Sequence, residues 1–289
     1  MQFIEVTDIR VVYDFWVKYK AAVPYWFDTE YELWEKCFEE DTDYDGEVMF
    51  GDTKVYAACS GTRIAGFVQS GISRYIYNEN GEKDYSIKCG VIRNLLFERV
   101  WDCGDGLIEA AEKYFDENGV NRRSAFFHAF GMSCYAGHGK LYCGLPWIET
   151  VLVKNGYVRE HENIYYKKII KAELLKSDIT VSVKYGETTA KGLCEFGVFD
   201  GEKNVGAGAL VYLPQGKICY LKWIYIYDSE QGKGYGSAAL ERIFCDLYAQ
   251  GVERFDTDTA DSNVIAQRLY NKVGFKDMGH TRSFLKQEV

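Results

Sequence analysis

The sequence lacks a long apolar run, an excess of positive charge and the Cys-x-x-Cys pairs of common metal sites. No apolar stretch approaches the roughly 20 residues that a membrane-spanning helix needs. The formal net charge is -9, which argues against nucleic acid as the main partner because binding to phosphates relies on Lys and Arg. We therefore expect neither a membrane span nor a nucleic-acid surface. The same charge is compatible with a small cationic partner such as an amine.

Disulfide bonds are also not expected, although the chain has nine cysteines. Their number is odd, and residues 1–5 read as the start of a strand rather than as a signal peptide. This pattern predicts a cytoplasmic protein with free thiols. His128, Cys134, His138 and Cys143 are close in sequence, but their irregular spacing favours loop residues without a metal over a zinc site.

A glycine-rich stretch at residues 228–237 is the most informative part of the chain. It follows the apolar run 223–227 and precedes apolar residues at helical spacing, which end before Gly251. These apolar residues are Leu240, Ile243, Phe244 and Leu247. The pattern predicts a strand, a glycine-rich turn and a helix.

Three glycines of this turn, Gly232, Gly234 and Gly236, remove the Cβ atoms that would keep a ligand away from the backbone. The first amides of a helix have no partners inside the helix, and with the helix dipole they form an anion site suited to a pyrophosphate. Tyr235 stands where a nucleoside triphosphate loop needs Lys followed by Ser or Thr, and the dinucleotide pattern GxGxxG is not matched. The alternative is a solvent-exposed turn before a surface helix.

Two motifs in this half resemble those of the GNAT superfamily of N-acyltransferases. Residues 231–236 fit the coenzyme A pyrophosphate loop Gln/Arg-x-x-Gly-x-Gly/Ala. Residues 263–275 fit the segment Asn-x-x-Ala-x-x-Leu-Tyr-x-x-x-Gly-Phe at every marked position. A helix and a strand-like stretch at 254–259 separate the two, in the order typical of the family. The resemblance implies an α/β fold of the α+β type, in which the sheet is mixed.

The first half of the chain repeats parts of the second. Gly104 and Gly106 precede Gly234 and Gly236 by 130 positions, and residues 152–157 are similar to residues 270–275. We therefore predict two GNAT-like domains in tandem, at residues 1–172 and 173–289. Two helices are predicted at the start of the first domain, near residues 7–22 and 29–39, and none at the start of the second.

The first copy departs from the family pattern where the chemistry would take place. Trp101 replaces Gln231, and Asp102 and Asp105 would put negative charge where a pyrophosphate binds. The tyrosine of the second motif is replaced by Leu152. This copy is predicted to be degenerate, with a structural role or a role in shaping the acceptor site, and to leave coenzyme binding to residues 173–289.

The resemblance implies a set of residues that bind acetyl-CoA as co-substrate, without a metal. The strand before the loop would pair with the pantetheine arm through the amides of Ile224 and Ile226, although a buried central strand would have the same apolar run. Asn263 would bind the pantetheine or the phosphate, although a simple helix cap is the alternative. The full set is Ile224, Tyr225, Ile226, Gln231, Gly232, Lys233, Gly234, Tyr235, Gly236, Ser237, Asn263 and Ala266.

Tyr270 is the candidate general acid, which would give a proton to the coenzyme A sulfur, although a tyrosine on an amphipathic helix is more often a core residue. The general base stays open. Lys222 lies near the position where many family members have a glutamate, and Glu195, Asp256 and Asp258 are further candidates. An amine deprotonated through water is an equal alternative.

The sequence thus predicts an acetyl-CoA-dependent N-acetyltransferase that acts on a small, cationic amine. Two alternatives remain at this point. One is a regulatory protein that binds coenzyme A without catalysis. The other is transfer of a different acyl group or of an aminoacyl group.

Overall fold

The structure, a computed structural model, describes residues 1–27, 29–43, 45–78, 82–127, 130–132, 138–172, 177–213 and 217–286. It contains two compact units. Unit 1 consists of Met1–Glu162 and Thr281–Val289, and unit 2 consists of Asn163–His280. Within the described residues, no helix is long and apolar enough to cross a membrane.

Unit 1 begins with a strand and two short helices, as the sequence predicted. Its elements are β1 (Gln2–Glu5), α1 (Arg10–Val17), α2 (Tyr31–Phe38), β2 (Phe50–Ser60), β3 (Arg63–Ser73), β4 (Ile76–Tyr77), β5 (Lys83–Asp84), β6 (Cys89–Phe97), α3 (Trp101–Glu117), β7 (Arg123–Ala125), β8 (Leu141–Tyr142) and α4 (Pro146–Lys154). The helix expected near residues 7–22 is shorter than predicted, and a separate 3₁₀ turn follows it at Lys20–Ala22.

The sheet of unit 1 has the strand order β1–β2–β3–β6–β7, with β6 and β7 parallel and the other neighbours antiparallel. Helices α1 and α2 cover one face of it because their apolar residues recur at helical spacing. The rings of Phe15 and Phe38 pack against Phe67 of β3, with centroids 6.2 and 6.1 Å away. Every residue of β6 is buried.

Two long strands have residues in both units. They are β9 (Tyr157–Ile169) and β15 (Lys276–Lys286). In unit 1, Phe284 and Leu285 of β15 pair with Ala125 and Ser124 of β7. In unit 2, residues 163–169 of β9 pair with the strand Arg254–Ala260. The boundary at 172/173 remains a prediction about domains, but the compact units divide at 162/163 and 280/281 because of these pairings.

Unit 2 contains the strands and helices that the second half of the sequence predicted. They are β10 (Ser182–Thr188), β11 (Leu193–Asp200), β12 (Lys203–Tyr212), β13 (Ile218–Ile226), α5 (Tyr235–Ala249), β14 (Arg254–Ala260) and α6 (Val264–Lys272), and a 3₁₀ turn at Asp228–Glu230 precedes α5. No helix precedes β10 among the described residues of this unit.

The sheet of unit 2 has the order β10–β11–β12–β13–β14–β9, and β13 and β14 are its only parallel neighbours in the described chain. Helix α5 connects these two strands, as a parallel pair requires. Its apolar side packs on one face of the sheet, where Phe244 lies 5.9 Å from Phe255 between ring centroids. The other face carries the exposed side chains of Trp223, Tyr225 and Tyr227.

Candidate active site

Strands β13 and β14 separate part-way along their length. Their parallel ladder ends at the pair formed by Leu221 and Thr257. Beyond it, β13 continues to Ile226 beside β12, and β14 continues to Ala260 beside β9. Because neither strand is the other's partner in this stretch, a gap opens between them, which we call the split.

A β-bulge lies where the split begins. Ala209 pairs with Trp223 and Leu210 pairs with Leu221, so Lys222 has no residue opposite it on β12. A bulge bends its strand and increases the local twist. It therefore helps to turn the end of β13 away from β14, and it leaves Lys222 exposed.

The backbone of β13 beyond the bulge faces two ways. The amide of Tyr227 donates to the carbonyl of Val205 on β12 at 3.0 Å. Since amides of an antiparallel strand alternate in direction, those of Ile224 and Ile226 point away from β12 and into the split. The Ile226 carbonyl points the same way, because it accepts a hydrogen bond from Nε2 of Gln231 at 2.9 Å. The structure thus brings both predicted pantetheine partners to one edge of the split.

The loop between β13 and α5 presents a row of amides without partners. Gly232 and Gly234 have φ angles of 77° and 87°, a region that favours glycine, and a Cβ on Gly234 would lie 2.6 Å from Cδ1 of Ile179. Within the described part of the chain, none of the amides of residues 232–237 donates to a backbone or side-chain acceptor. Consecutive free donors at a helix N-terminus are the arrangement that anion sites in proteins commonly use.

Most side chains of this loop form contacts that stabilise the loop and its surroundings. Nε2 of Gln231 also donates to Asp228, at 3.0 Å, and the Tyr235 hydroxyl donates to Asp200. Ser237 is buried under the first turn of α5. Gly236 has room for no more than a small side chain, because a Cβ there would lie 3.4 Å from Leu269.

Helix α6 follows the end of β14 and begins with a side-chain cap. Oδ1 of Asn263 accepts a hydrogen bond from the amide of Ala266 at 3.1 Å. Asn263 is therefore the N-cap of α6. The amide of Ala266 is engaged in this cap. Ala266 itself packs partly against the core of unit 2.

Tyr270 lies on the buried side of α6 and is only 4% exposed. Its ring packs between Tyr166 and Phe275, each 5.4 Å away between centroids. Burial raises the pKa of Tyr270 to about 12, and a hydrogen bond with the Thr257 hydroxyl opposes this shift. Since the Thr257 hydroxyl donates to the Leu221 carbonyl at 3.0 Å, the Tyr270 hydroxyl sits where the ladder of β13 and β14 ends.

A family model confirms the resemblance seen in the sequence. The model for the acetyltransferase (GNAT) family matches residues 160–275. This segment is a GNAT domain. The match begins within β9, so it includes the strand residues 163–169 that pair with β14, and it ends at Phe275. None of the curated proteins compared with the sequence matches it.

Solved structures share the fold of the whole chain. A tandem GNAT protein from the clavulanic acid biosynthesis pathway has a TM-score of 0.59 at 10% identity, with 98% of this chain and 97% of that chain covered. A glucosamine N-acetyltransferase region of a fungal GH3 β-N-acetylglucosaminidase has a TM-score of 0.63 at 12% identity, covering 98% of this chain and 38% of that one. A GCN5-related N-acetyltransferase from Sphaerobacter thermophilus has a TM-score of 0.57 at 11% identity, with coverage of 90% and 86%. The chain thus has the fold of a tandem pair of GNAT domains.

The carboxylates proposed as the base occupy different places in the GNAT domain. Asp256 is fully buried, forms an ion pair with Arg254, and accepts a hydrogen bond from the Tyr165 hydroxyl at 2.6 Å. Glu195 is exposed on β11, two strands away from the split. Asp258 lies one residue beyond the last pair of β13 and β14. Of the three, Asp258 is the one at the split.

Sequence reasoning missed one acidic residue of the GNAT loop. Glu230 is 5% exposed, and its oxygens lie 2.6 Å from Nζ of Lys203 and 3.0 Å from Nζ of Lys233. Hydrogen bonds from the two lysines lower the pKa of Glu230 to about 2. The carboxylate therefore holds both ammonium groups beside the loop. The sequence gives no sign of the contact with Lys203, which is 27 positions away.

Unit 1 has a comparable split, but its own residues bridge it. The ladder of β6 and β7 ends at Ile92, and the following Arg93 takes the bulge position that Lys222 has in unit 2. Arg93 is 5% exposed and donates to the carbonyls of Glu40, Phe130 and Gly131. The Arg93 guanidinium thus connects the segment at Glu40 with the segment at Phe130 and Gly131, at the point where the ladder of β6 and β7 ends.

Residues 101–106, which the internal repeat aligns with the loop of unit 2, belong to helix α3, so the alignment of Gly104 and Gly106 with the loop glycines does not hold in the structure. Only residues 98–100 separate β6 from α3, whereas residues 227–234 separate β13 from α5. Gly104 and Gly106 lie inside α3, where a Cβ would approach the rings of Phe97 and Phe3 to 2.5 and 2.1 Å. These glycines allow close packing and do not form an anion site. Asp105 lies on the helix and is bonded to Lys154 and Asn155.

Among the described residues, a loop with free amides before a helix is found in unit 2 and not at the corresponding place in unit 1, so we expect one coenzyme A to bind per chain. Titration calorimetry of the full chain with coenzyme A measures the stoichiometry directly. Two equivalent sites per chain would contradict the description of unit 1 as degenerate.

Of the four residues considered for zinc, His138 and Cys143 belong to the described part of the chain. His128 and Cys134 lie outside the described residues. In the part that the structure describes, no three His, Cys, Asp or Glu side chains are placed to hold a metal ion.

Proposed function

We propose that the chain is an N-acetyltransferase that transfers the acetyl group of acetyl-CoA to a small, cationic amine. The observation that carries this proposal is the row of six free amides at residues 232–237, next to a split strand pair in a GNAT domain. The amides, Lys203 and Lys233 would hold the pyrophosphate of acetyl-CoA. The net charge of -9 and the absence of a long apolar run support a cytoplasmic enzyme without a nucleic-acid partner.

The free edge of β13 supports the proposal that the pantetheine arm and the thioester bind there. The amides of Ile224 and Ile226 point into the split, so an extended arm can add there as a further strand. The thioester carbonyl would then lie against the edge of β13. An amide that donates to this oxygen stabilises the negative charge that develops as the amine attacks.

The position of Tyr270 supports a role in the last step, the protonation of the departing thiolate. Its hydroxyl lies where the ladder ends, and a tyrosine is protonated throughout the neutral range, so the proton is available for transfer. The reaction needs this proton because the thiolate of coenzyme A leaves as an anion. Tyr270 is the residue that we propose as general acid.

The coenzyme site is tested by replacing Gly232 with aspartate. No atom lies within 4 Å of a Cβ at this position, so the side chain fits and places a negative charge beside the free amides. We expect the affinity for coenzyme A to fall at least tenfold, which is about 1.4 kcal/mol, in titration calorimetry. Gly234→Asp is a poorer test because its Cβ would also collide with Ile179.

Gly251→Asp is the matched control for this variant. Gly251 has a φ of 79° and likewise no atom within 4 Å of a Cβ, but it lies at the far end of α5. Both variants therefore carry the same backbone strain. Equal affinity of Gly232→Asp and Gly251→Asp for coenzyme A would show that the loop does not bind the pyrophosphate.

The alternative, a regulatory protein that binds coenzyme A without catalysis, predicts the same result in this binding experiment. A screen of amines with acetyl-CoA, read out as free thiol, separates the two. Thiol release that depends on an amine supports the enzyme. Binding without any release supports the regulator. The same screen with other acyl-CoA donors identifies the acyl group.

A further inference from the structure

Three acidic residues stand at alternate positions in the segment between α2 and β2. They are Asp43, Asp45 and Glu47. Hydrogen bonds hold them close together, because Oδ1 of Asp43 accepts the amides of both other residues at 2.9 Å. Gly46, with a φ of 82°, allows the tight turn. Three negative charges held this closely repel one another unless a cation lies between them.

The ammonium group of Lys83 lies between these carboxylates. Its Nζ is 2.5, 3.2 and 2.7 Å from the oxygens of Asp43, Asp45 and Glu47, in that order. A lysine side chain carries a positive charge at neutral pH. The ring of Tyr75 closes a further side, with its centroid 5.0 Å from Nζ. We call the three carboxylates and the Lys83 ammonium the cage.

Two tyrosine hydroxyls orient the carboxylates of the cage. The Tyr75 hydroxyl donates to Oδ2 of Asp43 at 2.7 Å. The Tyr85 hydroxyl donates to Oε1 of Glu47 at 2.6 Å. Outer donors of this kind also orient the carboxylates that ligate metal ions. The side chains of Asp43 and Lys83 are only 7% and 17% exposed, so the cage differs from an ion pair on the open surface.

The hairpin of β4 and β5 supplies Lys83. These two strands pair with each other in a two-stranded sheet that is separate from the sheet of unit 1. The start of the hairpin packs in a small apolar core, where Tyr75 and Ile76 join Phe50 of β2. The cage therefore connects the acidic segment to a hairpin that, in the described chain, has no pairing with the larger sheet.

The spacing of the carboxylates is that of a calcium loop. Such loops take side-chain oxygens from the first, third and fifth residues of a tight turn that contains a glycine. Gly46 comes one place before the third carboxylate, whereas the EF-hand glycine comes one place after it. The contacts of 2.5–3.2 Å suit an ammonium, since calcium–oxygen distances are about 2.3–2.6 Å. The wild-type cage is thus an ammonium site, and no metal centre is formed in the described residues.

We propose that Lys83 takes the place of a divalent cation in the cage, so that the acidic segment binds Ca²⁺ once the ammonium is removed. This proposal does not depend on the proposed function. The ammonium has three N–H donors, one for each carboxylate. Because the chain carries this cation itself, unit 1 needs no calcium to hold the acidic segment on the hairpin. Three carboxylates exceed the single charge of Lys83, so an ion with two positive charges suits them once the centre is open.

The variant Lys83→Met tests the proposal in the full chain. It keeps an unbranched side chain and leaves three carboxylates without their cation. We expect the melting temperature in EDTA to fall by about 5 °C or more, and to recover largely when excess Ca²⁺ is added. The wild-type chain should show no such response to Ca²⁺.

Two further variants are the controls. Lys154→Met removes a lysine that pairs with the carboxylate of Asp105, outside the cage, so its melting temperature should not respond to Ca²⁺. The double variant with Lys83→Met and Asp45→Asn lacks one of the three carboxylates. It should lose most of the stabilisation by Ca²⁺ that Lys83→Met shows.

Terbium luminescence measures binding independently of stability. Tb³⁺ replaces Ca²⁺ in oxygen sites and emits when a nearby tyrosine is excited, and the Tyr75 ring lies beside the cage. Emission that appears in Lys83→Met and that Ca²⁺ displaces supports the proposal. A Lys83→Met chain that neither binds Tb³⁺ nor regains stability with Ca²⁺, whether it is folded or not, would overturn it. So would a wild-type chain that Ca²⁺ stabilises as strongly as the variant.

Discussion

Replacement of Tyr270 by phenylalanine is expected to lower kcat by about 10²- to 10⁴-fold, the usual contribution of a general acid. The variant keeps the ring that packs between Tyr166 and Phe275, so the core of unit 2 should be preserved. It removes only the hydroxyl, which lies beside Thr257 at the end of the ladder. The affinity for acetyl-CoA should change little. Single-turnover kinetics and calorimetry measure the two quantities separately.

Tyr166→Phe is the control for this prediction. Tyr166 is equally buried and its ring contacts that of Tyr270, but its hydroxyl lies near Asn271 instead of Thr257. We expect nearly normal kcat in this variant. Full kcat in Tyr270→Phe would make the phenol a packing residue, and a parallel loss of rate and coenzyme affinity would make it a positioning residue.

Replacement of Asp256 by alanine is expected to destabilise the protein by about 3–5 kcal/mol, the cost of breaking a buried ion pair on one side only. Asp256 is fully buried, and its removal leaves the Arg254 guanidinium and the Tyr165 hydroxyl without this partner. Tyr165 belongs to β9 and Asp256 to β14, so the change weakens the pairing that completes the sheet of unit 2. Urea denaturation followed by circular dichroism measures the free energy of unfolding.

Asp261→Ala gives the comparison for Asp256→Ala. Asp261 follows the same strand, its side chain is 54% exposed, and its Oδ1 lies 3.8 Å from Nδ1 of His280. We expect a change of less than about 0.5 kcal/mol there. Similar small effects at both positions would mean that the Asp256 cluster carries little stability, and Asp256 would return as a candidate base.

The local elements of unit 2 were predictable because each depends on residues close in sequence. Gly251 and Gly274 end α5 and α6 with φ angles of 79° and 86°, as their spacing from the apolar residues indicated. The loop glycines were recognisable for the same reason, since a positive φ and a missing Cβ are properties of single positions.

Features that depend on strand pairing were not predictable in this way. The sequence does not reveal that residues 163–169 pair with β14, because the partners are about 90 positions apart. Nor does it reveal where the ladder of β13 and β14 ends, which is the fact that separates Asp258 from Asp256. The glycines of α3 were wrongly aligned with the loop glycines for a related reason. Gly104 and Gly106 make room for Phe97 and Phe3, a packing requirement that has the same composition as a ligand loop.

The pairing of β15 with β7 has a consequence for synthesis on the ribosome. Ala125 of β7 pairs with Phe284, which is synthesised much later. At a translation rate of about 5–20 residues per second, one edge of β7 therefore stays unpaired for about 8–30 s after the strand is made. An open strand edge is a template for pairing with other chains. Unit 1 therefore cannot finish folding before unit 2 has been translated, although nearly all of it comes first in the sequence. Premature termination late in the gene would damage the N-terminal unit as well as the C-terminal one.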